Sequence, residues 1–178
     1  MHDDQDILEL LTKEPTASFN LLFHRYHKKV YWHARRMVID HSDADDITQN
    51  VFIKIWNGFQ SFKGESKLSS WIFRITVNET LNFIRSKKLK ATFSFHDYED
   101  VLIDKLSDST VFNGSEIERN LQKALLILPP KQRQVFHLRY YDNMPYEEMS
   151  EILGTSVGAL KASYFHASNK VEQYLVKI

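Results

Sequence analysis

No glycine or proline interrupts residues 16–57 or residues 65–113. A chain this poor in turn formers has few places to reverse. Its apolar residues recur every three or four positions, which suits the buried face of an amphipathic helix. No run of alternating apolar and polar residues competes with that pattern. The sequence therefore predicts an all-α protein. Helices are expected from about Ala17 to Ile39, from Asp43 to Phe59 and from Leu68 to Lys88. Ser42, with Asp45 three residues on, reads as the cap of the second. FKGESK (62–67) reads as a loop. In LPPKQRQ (128–134), Pro129 and Pro130 end one helix and start another, because proline lacks the N–H donor that only a first turn can spare.

A net charge of zero conceals strong segregation. Lys and Arg exceed Asp and Glu by seven over residues 19–92 and by three over 119–178. Acids prevail by four over residues 1–18 and by six over 93–118. Two independent apolar patterns flank the second acidic stretch. They predict two small helical domains, residues 1–90 and 116–178, joined by a flexible acidic linker over 91–115, irregular and crossed by no shared core. The basic blocks suit a polyanion, although solvated helix faces account for the charge equally well. No apolar run reaches the roughly 18 residues of a membrane span, so no membrane insertion is expected. The acidic start does not read as a secretory signal. The absence of cysteine excludes disulfides and thiolate metal sites and fits the reducing cytoplasm.

Three constellations carry functional information. PYEEMSEILGTSVGALKASYFHASNKV (145–171) reads as two short helices around a turn at Gly154. Met149, Ile152 and Leu153 would face inward on the first helix, and Val157, Leu160 and Tyr164 on the second. That is a helix-turn-helix pattern, whose second helix fits the major groove; an ordinary helical hairpin is the alternative. In DADDITQNVFIKIW (43–56), Ile47, Val51, Ile55 and Phe59 form one apolar stripe. Asp46, Gln49, Asn50 and Ile53 form another face, where an isoleucine among polar residues suggests docking rather than solvation. In the stretch 59–88, Trp71, Arg74, Asn78, Asn82 and Arg85 share a face at spacings of three or four. An aromatic, two guanidiniums and two amides together offer stacking, phosphate pairing and base-edge bonding. Lys63 and Lys67 flank a glycine loop able to hold an extruded base. A core tryptophan beside a solvated face is the competing account.

Taken together, these segments resemble a known family. LFHRYHKKVYWHARRM, DADDITQNVFIKIW and FQSFKGESKLSSWIFRITVNETLNFIR look like region 2 of RNA polymerase sigma factors, and residues 128–171 look like region 4. The absence of other regions resembles the compact extracytoplasmic-function type. The resemblance implies a non-enzymatic subunit that binds core RNA polymerase, through the beta-prime clamp helices and the beta flap, and promoter DNA, with an anti-sigma factor as regulator and no cofactor. It implies polymerase contact by Asp43, Asp46, Gln49, Asn50 and Phe52. It implies reading of the −10 element by Lys63, Gly64, Ser66, Lys67, Trp71, Arg74 and Asn78, to which the shared helical face adds Asn82 and Arg85. For the −35 element it implies Gln132, Arg133, Ser156, Gly158, Ala159, Lys161, Ala162, Ser163 and His166. The recognition helix keeps Lys161 but lacks two arginines frequent in the family.

Two other readings remain at this stage. A stand-alone DNA-binding regulator would use the same helix-turn-helix but leave residues 43–56 and the Trp71–Arg85 face without purpose. A metal site would draw on His24, His27 and His33, yet the chain has no H-E-x-x-H pattern and no thiolate partner.

Overall fold

The computed structural model describes residues 4–90, 95–108 and 116–177, with backbone alone for residues 90, 95–99, 107 and 108. Among these residues the chain is helical and contains no strand. The helices are α1 (Asp4–Leu11), α2 (Pro15–Val38), α3 (His41–Phe59), α4 (Leu68–Lys90) and α5 (Phe95–Asp108). After them come α6 (Glu116–Leu126), α7 (Pro130–Tyr140), α8 (Tyr146–Leu153) and α9 (Val157–Leu175). None of the described helices is long and apolar enough to cross a membrane.

α2, α3 and α4 pack on one another, and α1 lies against α2. Only Ile39 and Asp40 separate α2 from α3. Ile39 takes φ 64° and ψ −32°, a sparsely populated positive-φ conformation that costs a β-branched residue on the order of 1–3 kcal/mol. Its side chain is buried in the core, and full burial of an isoleucine is worth about 1.5–3 kcal/mol, so the tight corner holds. Asp40, not Ser42, caps α3: its carboxylate accepts from Asp43 N at 3.1 Å. The helix accordingly begins two residues earlier than the sequence pattern predicts. Asp40 also accepts from Lys105 Nζ at 2.7 Å, and this bond above all holds its carboxyl below the usual range.

That contact overturns one expectation. The stretch 91–115 was to be irregular, yet Phe95–Asp108 is helical. Leu102 and Leu106, four apart, are buried in the same apolar cluster as Leu22, Val38 and Ile47. Their burial fixes the helix face despite its acidic composition. Residues 91–94 and 109–115 of the expected linker lie outside the described residues.

The C-terminal half has its own core, where Ala124 and Leu125 of α6 meet Phe136 of α7 and Ala167 and Val171 of α9. A further cluster belongs to neither half. Phe73 and Val77 of α4 pack with Val135 and Leu138 of α7, Met149 and Ile152 of α8 and Leu160 of α9. The two halves therefore share apolar packing, against the expectation of separate cores. The reason is local: α4 is apolar on this second side as well, and α7 and α8 cover it.

Candidate nucleic-acid interface

The helix-turn-helix forms as its sequence suggests. Met149 and Ile152 of α8 and Leu160 of α9 are buried. Gly154 closes α8 in the left-handed conformation (φ 60°, ψ 34°), its N–H bonded to Ser150 O. Ser156 caps α9, its hydroxyl accepting from Ala159 N at 3.3 Å. The outward face of α9 presents Gly158, Ala159, Lys161, Ala162 and His166, all exposed, while Ser163 is half-buried. Phe165, 60% exposed, belongs to this face too; its spacing of four from Lys161 was the available signal. Gln132 is half-buried and accepts from Lys170 at 3.4 Å. Arg133 corrects the sequence reading. It is 0% exposed, because α7 turns it inward on the side of His137, so it presents no guanidinium at this surface.

On α4, Arg74, Asn78, Asn82 and Arg85 are exposed along one face. Trp71 is not free beside them. Its half-buried ring packs against Phe62 at 5.2 Å and Phe59 at 6.5 Å. A Cβ at Gly58 would come within 3.2 Å of the indole, so that glycine makes room for the ring. The core reading of Trp71 thus has direct support, since the ring packs against the N-terminal apolar cluster. In the preceding loop Lys63, Gly64 and Lys67 are exposed and Ser66 is half-buried. Gly64 has φ 71° and open space around it, so backbone conformation rather than crowding calls for glycine there.

α3 carries a second surface. Asp46, Gln49 and Asn50 are exposed. Asp43 is instead paired with Lys87 at 2.9 Å. Phe52 is only 6% exposed and packs on Phe23 with ring centroids 4.7 Å apart, so it forms the floor of a groove rather than a projecting contact. The groove, of about 470 Å³, runs between α2 and α3 past Phe19, His27, Gln49, Ile53 and Trp56. Ile53 and Trp56 remain 50% and 44% exposed. The isoleucine was conspicuous in the sequence; the tryptophan completes an apolar patch of the kind that marks contact surfaces.

The three histidines of α2 do not converge. His24 is exposed, His27 stacks on Phe52 at 5.9 Å, and His33 is buried. His33 Nδ1 faces Asp142 Oδ2 at 3.1 Å and its Nε2 lies 2.7 Å from the Gln134 amide. No group of three metal-ligating side chains occurs among the described residues. His137 lies next to this cluster, its ring 6.4 Å from His33. Burial first, then the charges of His33, Arg133 and Arg36, push His137 well below the usual imidazole range.

The α4 face meets the helix-turn-helix directly. Arg74 donates to Glu151 O at 2.8 Å, and Ser70 donates to the Glu148 carboxylate at 3.0 Å. A cavity of about 430 Å³ lies between them, lined by Asn78, Asn82 and Arg85 from α4, Lys131 and Gln134 from α7 and Ser163 from α9.

Comparison with known proteins agrees with this geometry. The Sigma-70 region 2 family matches residues 22–90, and the Sigma-70, region 4 family matches residues 118–171. The ECF RNA polymerase sigma-E factor of Haemophilus influenzae is 29% identical over 177 residues, covering 95% of this chain and 93% of that protein. The ECF RNA polymerase sigma factor SigW of Bacillus subtilis is 31% identical over 144 residues, covering 76% and 77%. Among solved structures, the sigma factor RpoE of Bartonella quintana, in complex with the anti-sigma factor NepR, superposes with a TM-score of 0.72 at 25% identity, over 88% of this chain and 96% of that one. CnrH, in complex with the cytosolic domain of CnrY, shares the fold with a TM-score of 0.74 at 20% identity, over 98% and 97%.

Proposed function

The chain belongs to the extracytoplasmic-function sigma factors and directs promoter-specific transcription initiation by RNA polymerase; from that premise we propose how its surfaces divide the work. Residues 1–90 dock on core polymerase and engage the −10 element, and residues 116–178 engage the −35 element. The polymerase subunit receives Asp46, Gln49 and Asn50 together with the groove between α2 and α3, at the beta-prime clamp helices, while the C-terminal domain meets the beta flap.

The observation that carries the DNA reading is the row of Arg74, Asn78, Asn82 and Arg85, exposed on one face of α4 beyond the Gly64 loop. Guanidiniums pair with phosphates and amides bond base edges. Opening the −10 duplex costs about a few kcal/mol, and each captured base returns about 1–3 kcal/mol when it stacks. α9 enters the major groove of the −35 duplex through Gly158 to His166, with Lys161 as its charged contact. The chain works by binding and positioning, performs no bond chemistry, and acts in the cytoplasm. An anti-sigma factor is its expected regulator, since RpoE, which it resembles, was solved bound to one.

Reconstitution with core polymerase, followed by selection of transcribed promoters from a random library, tests the assignment. The expected product is a −10/−35 pair that core alone does not use. Initiation indifferent to promoter sequence would refute it.

A further inference from the structure

A cavity of about 540 Å³ opens at the seam between the two halves, and neither the polymerase docking nor the promoter reading proposed above uses it. Its walls differ in chemistry. On one side α2 contributes Lys28, Lys29, Trp32 and Arg36. Lys28, Trp32 and Arg36 recur every four residues, so they stand one above another on a single helix face. On the other side the connection between α7 and α8, with the first turn of α8, contributes Asp142, Asn143 and Glu148.

The cations are uncommitted. Lys28 and Lys29 are exposed, and among the described residues neither they nor Arg36 lie within ion-pair distance of a carboxylate. Arg36 sits instead over the Tyr141 ring at 4.2 Å and lies 6.0 Å from the Trp32 ring; a guanidinium stacked this way keeps its edge N–H groups for oxygen acceptors. Trp32 is 41% exposed between these charges. A basic face kept only for solvation has no use for an exposed indole, whereas a planar ligand would stack on it. The acids opposite are held but not exhausted. Asp142 meets His33 through Oδ2, and Glu148 accepts from Ser70 through Oε1. A carboxylate accepts at both oxygens, so each keeps one for another donor. Asn143, exposed at the rim, takes φ 48°, a turn that asparagine tolerates better than most residues.

We propose that this cavity binds a purine nucleotide, with its phosphates on Lys28, Lys29 and Arg36, its base on Trp32, and the amino edge of the base toward Asp142, Asn143 and Glu148. The volume falls within the roughly 300–1,000 Å³ of small-molecule sites. The charge pattern suits a ligand that is anionic at one end and donates N–H bonds at the other. A bare phosphate would leave the indole and the carboxylates idle, and an apolar ligand would leave three cations without partners. Because both halves supply walls, a bound nucleotide stabilises the folded chain and should raise its melting temperature.

Equilibrium dialysis of the full chain against ATP and against GTP tests the site, with thermal melting beside it. The expected result is one-to-one binding of at least one of them, with a raised melting temperature. Lys28→Ala with Lys29→Ala should weaken that binding about tenfold or more, and Trp32→Ala about fivefold or more. Lys13→Ala with Lys177→Ala removes the same charge from exposed positions outside the cavity and should leave the affinity unchanged. Inorganic tripolyphosphate should compete only weakly, since it has no ring to stack. That arm uses wild type alone, so it stands even if a variant loses its fold. Failure of both nucleotides to bind at millimolar concentration would overturn the proposal. Equal losses in the control pair, or tripolyphosphate as effective as the nucleotide, would overturn it too, reducing the site to a patch for any polyanion. Nucleotide affinity unchanged by the Lys28, Lys29 and Trp32 substitutions would also refute it, and weakened promoter binding by those holoenzymes would then assign the patch to DNA.

Discussion

Trp56→Ala puts the docking groove to a quantitative test. Trp56 lies at the lip of the groove, its ring 4.9 Å from Phe19 in an edge-to-face contact, and keeps 44% of its surface exposed. A tryptophan buries up to about 250 Å² in all, so about 110 Å² remains for a partner to cover. At about 25 cal/mol per Å² that is about 2.7 kcal/mol. This is a ceiling, because ordering at an interface consumes part of it. A loss of about 2 kcal/mol, or about thirtyfold in Kd, is therefore expected for binding to core polymerase. Competition against a labelled sigma factor measures it directly. Salt supplies an internal check. The loss at Trp56 should persist at high ionic strength, whereas the loss from Asp46→Ala should shrink as screening increases. Core affinity within twofold of wild type, with helical content and melting intact, would refute the groove as a polymerase contact.

Replacing Asp46 and Gln49 together with alanine should also weaken core binding, with the fold intact because both side chains are exposed; unchanged binding would contradict the docking assignment. Lys161→Ala should weaken −35 duplex binding and lower the salt slope by about one if it contacts phosphate, while Asn78→Ala should impair permanganate-detected opening of the −10 region and leave −35 duplex binding unaffected. Gly154→Ala should cost about 1 kcal/mol in urea unfolding from backbone strain alone, since nothing lies within 4 Å of the added carbon; Gly154→Asn should cost less. Asp40→Ala should cost about 1 kcal/mol from the lost cap. Because the Asp40 carboxyl is held below its ordinary pKa, its contribution is full above about pH 4 and fades as pH falls through the lowered value, so the variant should show a flatter acid limb.

The helical class and the turn at Gly154 were legible because periodicity and glycine act locally. So were the two surfaces, since a helix face follows from spacing alone. α5 was harder to see. DYEDVLIDKL contains Leu102 and Leu106 at helical spacing, but its acidity pointed to a solvated linker, and only the core it meets shows which signal prevails. α1 presents the same case, with Ile7 and Leu11 buried in an acidic segment. The seam was invisible for another reason. His33 and Gln134 stand 101 residues apart, and no local pattern reports that α7 will lie on α2. Arg133 illustrates the converse: an arginine in a basic helix reads as surface until the helix phase is known.

The seating of α5 sets a tether length. While Leu102 and Leu106 stay buried, the chain joining the halves runs only from Leu106 to Glu116, and can stretch about 35 Å at most. If α5 lifts off and unwinds, the same join runs from Lys90 to Glu116 and can reach about 90 Å. If the two halves engage separate DNA boxes, the reach between them depends on whether Leu102, Leu106 and the Lys105–Asp40 bond keep α5 in place.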